Sequence, residues 1–453
     1  MSNKSVLLEP AAEIPIVYEC DLCVIGGSCT GLFAAIRAAR LGLKVAIVEQ
    51  ANCFGGVATI SMVCVWLSFM DTAFSRNIVG GLSQETIDRL KKVNAVTESP
   101  NDWSVGFRFN SNELKIELDE MAKAAGLKVY FHTMFVKPHV ENGQIAGAII
   151  ENKSGRGAIR ARFFIDASGD ADLAYRAGVP TYEEEHRNPS TTGVHFANWS
   201  SLGNVDFPGL NAHIRAHAAK EGLPNGFAWE ARIPNSDVHM LAATRILNNN
   251  PTLADDFTAG EIEGRRQVRA LSRIFKRAVP TSNLEIVALA QRMGIRETRK
   301  VHSRHRVTSE EVLYGVRYED AIANGSYRVD VHHQDKPGVT FKYLDGSQTY
   351  IVPGEPFHQS RWRSETAENP TFYQIPYRSL VPQGPYGNLL VAGRMLDSDI
   401  EAFGALRVMV NMNQTGEAAG VAAYLALKNN YSAGDVNPET LRKTLADGGS
   451  III

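Results

Sequence analysis

Between Leu22 and Ile25 the chain is apolar at every position, the pattern of a strand covered on both faces. The run stops at Gly26-Gly27-Ser28-Cys29-Thr30-Gly31, a turn of small residues. From Leu32 to Leu41 apolar residues and alanines recur at helical spacing, with Arg37 and Arg40 as the wet positions. Gly42 is placed to stop that helix. Val45 to Val48 reads as a second buried strand, and it ends in Glu49.

Further along, a helix is expected near Ser83 to Val93, with Ser83 as N-cap and Glu85 in its first turn. Asn112 to Ala125 has the amphipathic period of another, closed by Gly126. Leu127 to His132 then reads as a strand. Alternation from Met134 to Ile150, broken at Asn142-Gly143, predicts a hairpin, and Ser154-Gly155 predicts a second turn. Ala161 to Ile165 is a buried strand running into Asp166-Ala167-Ser168-Gly169-Asp170. Residues 190–350 mix strand-like and helical stretches, including helices at Ala212–Ala219 and Ile262–Ala278. Asn388 to Arg394 returns to the buried-strand pattern, and Gly404 to Lys428 to an Ala-rich helical one. Residues 1–18 read as a polar lead-in, and no internal repeat is found.

Strand, glycine turn, helix, strand and acid, in that order, form the unit that binds an adenine dinucleotide. Glycines let the backbone approach a pyrophosphate, and the helix N-terminus offers that anion free N–H groups. The acid accepts hydrogen bonds from ribose hydroxyls. Gly26, Gly27, Ser28, Cys29, Thr30 and Gly31 are therefore cofactor candidates, with Glu49 and its neighbour Gln50. An acid at Glu49 disfavours the extra phosphate of NADP. Ser28 stands where the G-x-G-x-x-G fingerprint has a glycine, so the match is incomplete.

The residues after Glu49 separate FAD from NAD. Cys53-Phe54-Gly55-Gly56-Val57-Ala58-Thr59 resembles the FAD-dependent oxidoreductase family of two-domain flavoproteins, distant relatives of the fumarate reductase group. That family carries a glycine-rich loop beside the flavin, matched here by Gly55, Gly56, Ala58 and Thr59. Ile78-Val79-Gly80-Gly81 before a helix is similar to it too. The resemblance implies that Asp166, Ala167 and Gly169 belong to the cofactor site and that Val136 walls the adenine pocket. It also implies that Gly393 and Arg394 of N-L-L-V-A-G-R, with Gln414 and Gly416 of the following helix, lie near the flavin. Ile400 stands where many relatives carry a histidine, so that histidine's role has no bearer here. The resemblance covers most of the chain and is patchy over residues 190–290. It implies an α/β fold: a Rossmann-like FAD-binding domain with a parallel central sheet, interrupted by an inserted α+β substrate domain. The expected boundaries are 1–190 with 350–453 for the cofactor part and 191–349 for the substrate part.

Composition adds bounds. A chain of 453 residues suggests two or three domains. A formal net charge of -2 gives no general attraction for nucleic acid or anionic membrane. The opening residues lack a basic start and long apolar core, so no secretory signal is expected, and no apolar run would span a bilayer. Five cysteines, Cys20, Cys23, Cys29, Cys53 and Cys64, read as reduced thiols of a cytoplasmic protein. Cys20 and Cys23 bracket a strand, which argues against a redox pair. Cys29, at a helix start, is the one placed for a lowered pKa.

Candidate chemistry follows. His332 and His333 of Val331-His332-His333-Gln334-Asp335 are candidate general bases; adjacent histidines on an extended segment point apart, and no metal site is expected. Arg296, in G-I-R-E-T-R, is a candidate for holding an anionic or polyhydroxylated substrate. Tyr377 and Arg378 of I-P-Y-R are substrate-facing candidates, with domain-junction packing as the other reading. The expected activity is an FAD-dependent dehydrogenase or oxidase moving a hydride from a small polar substrate, hydroxylated or anionic, to the flavin. Two alternatives stand beside it: a flavoprotein binding RNA through the basic run 292–306, and an NAD-dependent dehydrogenase. The partners expected are a small-molecule substrate, an electron acceptor of unspecified kind and, in a homo-oligomer, further copies of the chain; nucleic acid and membrane are not expected.

Overall fold

The computed structural model describes residues 6–100, 102, 104–203, 207–224, 226–333 and 336–453. Its main sheet has seven strands. They are β1 (Ile16–Ile25), β2 (Val45–Val48), β3 (Lys128–Tyr130), β4 (Met134–Glu141), β5 (Gln144–Asn152), β6 (Gly155–Asp166) and β7 (Leu389–Val391). The order is β3-β2-β1-β6-β5-β4, with β7 also on β6. β6 forks: its first half pairs antiparallel with β5, and its end pairs parallel with β7. β3, β2, β1, β6 and β7 thus make the parallel core.

The apolar runs are explained by burial on both faces. Leu22, Val24, Val45, Ile47, Phe163, Ile165 and Leu390 face one core; Cys23, Ile25, Ala46, Val48, Phe164, Leu389 and Val391 face the other. A strand wet on one side would alternate; these do not. Asn142 and Gly143 both have positive φ, 51° and 74°, the mirror-type turn that Asn-Gly favours between twisted strands.

Helix α1 (Cys29–Arg40) crosses the first core beside α2 (Met409–Asn429). A Cβ on Gly416 would lie 2.0 Å from the Thr30 carbonyl oxygen, and one on Gly420 2.1 Å from that of Ala34. Small residues let these two backbones touch. The Ala-rich stretch is two helices, not one: Ile400–Leu406 ends and α2 begins after extended Val408. The helix expected from Ser83 starts at Gly81, so Ser83 lies inside it and is buried rather than capping. The helix at Ala212–Ala219 runs Phe207–Ala218, and that at Ile262–Ala278 extends back to Ala254.

Arg37, expected to be wet, is buried. It donates to the carbonyls of Gly448 and Leu445 and lies 3.6 Å from the buried Glu417 carboxylate. Leu82 N–H and the Ser450 hydroxyl also donate to Glu417. Burial nevertheless wins, and the Glu417 carboxyl is pushed up to about 7. A raised carboxyl stabilises the fold most below its ordinary pKa, and that contribution is lost as pH rises through about 7. Thermal unfolding is therefore expected to show stability falling between pH 5 and 8 by ~2–4 kcal/mol from this group, a loss that Glu417→Gln removes.

Two further four-stranded sheets stand outside the main one. One joins Trp229–Arg232, Val238–Ala242, Val194–Ala197 and Glu285–Leu289; the other is the meander Val329–His332, Val339–Lys342, Ser347–Ile351 and His358–Arg361. Among the described residues no helix is long and apolar enough to cross a membrane.

Candidate active site

The turn after β1 is built for an anion. Ser28 is the N-cap of α1, yet no side chain caps the helix and its first turn holds no acid. Cys29, Thr30 and Gly31 are buried all the same. A buried helix start with unclaimed N–H groups needs a ligand or a cap. Gly26 (φ +103°) lies so close to β6 that a Cβ would meet the Ala167 oxygen at 2.3 Å. Ser28 is admissible at the second fingerprint position because its backbone is extended, with φ -61° and ψ 171°. The tight position is its neighbour Gly27, whose added Cβ would meet Glu49 Cβ at 2.8 Å.

The other cofactor candidates gather around that turn. Glu49, at the end of β2, accepts from Gly27 N–H at 2.6 Å and from Ala51 N–H at 2.8 Å. Each carboxylate oxygen retains a lone pair for a ribose hydroxyl. Gln50 beside it is exposed. Ser28 bridges to Gly55, and a Cβ on Gly56 would lie 2.9 Å from Ser28 Cβ, so turn and glycine loop touch. Ala58 is buried, and Thr59 closes the loop by donating to the Phe54 carbonyl at 2.6 Å. Gly393 (φ +116°) sits against Thr30, and Arg394 lies over Gly169. Arg394 pairs with Asp170 at 2.5 Å while its Nε is buried with no partner. The uncapped helix start, the acid at Glu49 and the orphaned Arg394 Nε fit a bound dinucleotide.

Several candidates are spent elsewhere. Asp166 accepts from Ser168 N–H and hydroxyl and from Leu173 and Ala174 N–H, so it shapes the turn after β6 and caps a short helix rather than facing a ligand. Val136 is the extra residue where the β4–β5 register shifts, and its carbonyl accepts from Arg176. Gln414 clasps the backbone of Asn324 with both ends of its amide, at 3.1 and 2.8 Å, and Gly416 serves the α1–α2 crossing. Tyr377 is buried with its hydroxyl on the Ala433 carbonyl at 2.5 Å. Arg378 pairs with Asp320 at 2.6 Å. These two fit the junction reading. Burial pushes the Cys29 thiol up to about 12, overriding the helix start.

The two histidines part company. His333 meets the Thr340 hydroxyl at 2.7 Å across the meander. His332 lies in a cluster of charges: its Nε2 is 3.2 Å from Asp330 Oδ1, and its Nδ1 is 3.5 Å from Arg245 Nη2. Arginine has no acceptor, so Nδ1 accepts and Nε2 carries the proton toward Asp330. Arg407 reaches Asp330 at 3.2 Å, and Tyr327 donates to it at 3.1 Å. Arg296 donates to the Thr191 hydroxyl at 2.6 Å and to the Pro189 carbonyl. Burial first, then the neighbouring Arg407 and Arg245, bring Arg296 down to about 9. Burial likewise holds His332 down at about 4, with Arg296 and Arg407 adding to the effect.

Arg245, Tyr327, Asp330 and Arg407 were not singled out from sequence. The available signal was a lone charge in an apolar stretch, as in Ala405-Leu406-Arg407-Val408-Met409. Arg407 projects from the break between Ile400–Leu406 and α2, which the helical period did not predict. Gln334 and Asp335 lie outside the described residues. In the basic run Arg299 pairs with Asp172 and buried Lys300 with Glu297 and Glu184, while exposed Arg306 lies 3.7 Å from Asp397 and exposed Arg304 donates to the Gly434 carbonyl.

The model of the family described as FAD dependent oxidoreductase matches residues 21–445. No curated protein matches the chain. Among solved structures, a geranylgeranyl bacteriochlorophyll reductase-like protein of Thermoplasma acidophilum is similar at 16% identity and TM-score 0.48, over 95% of this chain and 83% of that one. A flavoprotein/dehydrogenase of Cytophaga hutchinsonii is similar at 13% identity and TM-score 0.45, over 94% and 83%. The p-nitrophenol 4-monooxygenase PnpA of Pseudomonas putida is similar at 10% and 0.46, over 95% and 84%. With a family model spanning both halves of the main sheet and a cradle that fits FAD, the chain belongs to the FAD dependent oxidoreductase family of enzymes.

Proposed function

We propose that this enzyme is a dehydrogenase or oxidase that removes a hydride and a proton from a small polar substrate, hydroxylated or anionic. When bound, FAD supplies the two-electron acceptor for the hydride. The observation that carries the reading is the link between the charged cluster and the cofactor cradle. Arg296 belongs to the cluster. Two residues on, the Thr298 hydroxyl donates to Asp170 at 2.8 Å, and Asp170 pairs with Arg394. The segment before Arg296 also leans on the loop after Ala58: Gln291 N–H donates to the Ile60 carbonyl at 3.0 Å.

In this reading residues 1–190 and 350–453 hold the cofactor and 191–349 face the substrate. The cluster draws Arg407 from the first part and Arg245, Arg296, Asp330 and His332 from the second, a junction where ligand sites commonly form. Asp330 fixes the ring of His332 with its proton on Nε2. Nδ1 takes the proton of the substrate hydroxyl while the hydrogen on the adjoining carbon departs with the C–H bonding pair, and the carbon–oxygen bond becomes a carbonyl. His332, not His333, is the general base.

Anaerobic bleaching of the flavin by a panel of hydroxylated and anionic compounds tests the activity. His332→Gln is expected to slow flavin reduction by about 100-fold or more, a usual general-base contribution. His333→Gln is expected to leave it near the parent rate. An unchanged rate in His332→Gln would remove that residue from the role.

A further inference from the structure

We propose that the substrate of this site is a dianion of carboxylate or phosphate chemistry, gripped by Arg245, Arg296 and Arg407. The inference rests on the reading above and names the substrate class.

Several other arginines of this chain reach a carboxylate directly, alone or in pairs. Arg40 takes both oxygens of Glu85, at 2.7 and 2.8 Å, and Arg273 and Arg277 divide the two oxygens of Glu221. Of the three arginines in the cluster only Arg407 pairs with Asp330, at 3.2 Å; Arg245 reaches the His332 ring instead, and Arg296 the Thr191 hydroxyl and the Pro189 carbonyl. With His332 neutral, the group carries a net charge of +2 in a setting where Asp330 is 8% and Arg407 13% exposed. Gathering like charges out of water costs several kcal/mol per ion unless counter-charge is supplied. Among the described residues of the cluster Asp330 is the one such charge, and Arg407 Nε is buried with no partner there. Arg245 spends its head on a ring nitrogen 3.5 Å away, a long contact. A ligand with two negative charges completes the set.

The same anion would prepare the base. Once it takes Arg245, Nδ1 of His332 is released, and its charge offsets Arg296 and Arg407, which add to burial in holding that ring neutral. Substrate binding and proton acceptance are then coupled through one guanidinium.

Calorimetric titration of the FAD-loaded protein with succinate, inorganic phosphate and the monoanion butyrate tests the proposal. At least one dianion is expected to bind about 10-fold or more tightly than butyrate. Preference for succinate assigns a dicarboxylate, and preference for phosphate a phosphate ester. Arg296→Gln and Arg407→Gln are each expected to weaken that dianion by about 10–100-fold with visible flavin absorbance retained. Dianions that bind the parent no more tightly than butyrate would overturn it. So would variants that lose FAD together with the anion, since the cluster would then serve the cofactor. Calorimetry reads anion binding even in a protein that purifies without flavin, so failure of the flavin chemistry and failure of dianion recognition are distinct results.

Discussion

Replacing Gly31 with valine is expected to leave the purified protein colourless. A Cβ at Gly31 would lie 2.0 Å from the Gly26 carbonyl oxygen and 3.0 Å from Ala167 Cβ. Neither neighbour can give way. Gly26 is itself pressed against Ala167 by the turn, and Ala167 follows directly on β6. The start of α1 must therefore swing out, carrying with it the N–H groups of the proposed pyrophosphate site. Overpacking against backbone costs ~1–3 kcal/mol or more, and 2.7 kcal/mol is about 100-fold in affinity. The ratio of visible flavin absorbance to protein absorbance reads the result, with far-ultraviolet circular dichroism to confirm the fold. Gly42→Ala is the control: its φ of +104° imposes some strain, but nothing lies within 4 Å of the new atom. It should stay yellow. A Gly31→Val protein with a full complement of FAD would mean that the turn does not carry the cofactor.

The second large effect is expected at Asp330. Asp330→Ala strips Arg407, His332 and Tyr327 of a shared partner and leaves buried cations unpaired. Breaking a buried pair in this way costs ~3–5 kcal/mol. Denaturant unfolding at neutral pH should show that loss, and Asp330→Asn, which keeps the hydrogen bond with Tyr327, a smaller one. The acid limb should change as well. His332 and the neighbouring arginines hold the Asp330 carboxyl well below the usual carboxylate range despite its burial. A depressed carboxyl stabilises above its unfolded pKa and loses that contribution as pH falls through the folded one. His332 acts in a different window. Its pKa drops from 6.5 to about 4 on folding, so the unfolded chain takes up the proton first and stability declines as pH falls between those values. Parent protein should thus weaken in two stages on acidification. Asp330→Ala should lack the lower one. A variant as stable as the parent at neutral pH would show that the three arginines need no counter-charge from the chain.

The parallel core was legible because its signals are local. Leu22 to Ile25 and Val45 to Val48 are apolar throughout because both faces of a parallel strand are covered. Gly42 and Asn142-Gly143 are read from backbone conformations that few residues adopt. Glu49 stands out as an acid at the end of such a run. Each feature is decided by residues a few positions apart, so each survives in the sequence as a pattern.

The tertiary structure decided which polar groups remain available. Asp166, Gln414 and Tyr377 have chemistry suited to a site, yet four donors, a strand backbone and a distant carbonyl consume them. The charged cluster comes from four separated places, Arg245, Arg296, Asp330 with His332, and Arg407. Tyr327 beside them shares no period with the rest. Which of two adjacent histidines joins it depends on the face that the strand Val329–His332 turns toward Arg245, and whether Arg407 joins depends on a helix breaking at Val408. Hydrophobic burial writes itself along the chain at the period of each element. Convergence of charges is a property of the folded surface alone, and it is there that we propose the substrate of this enzyme is chosen.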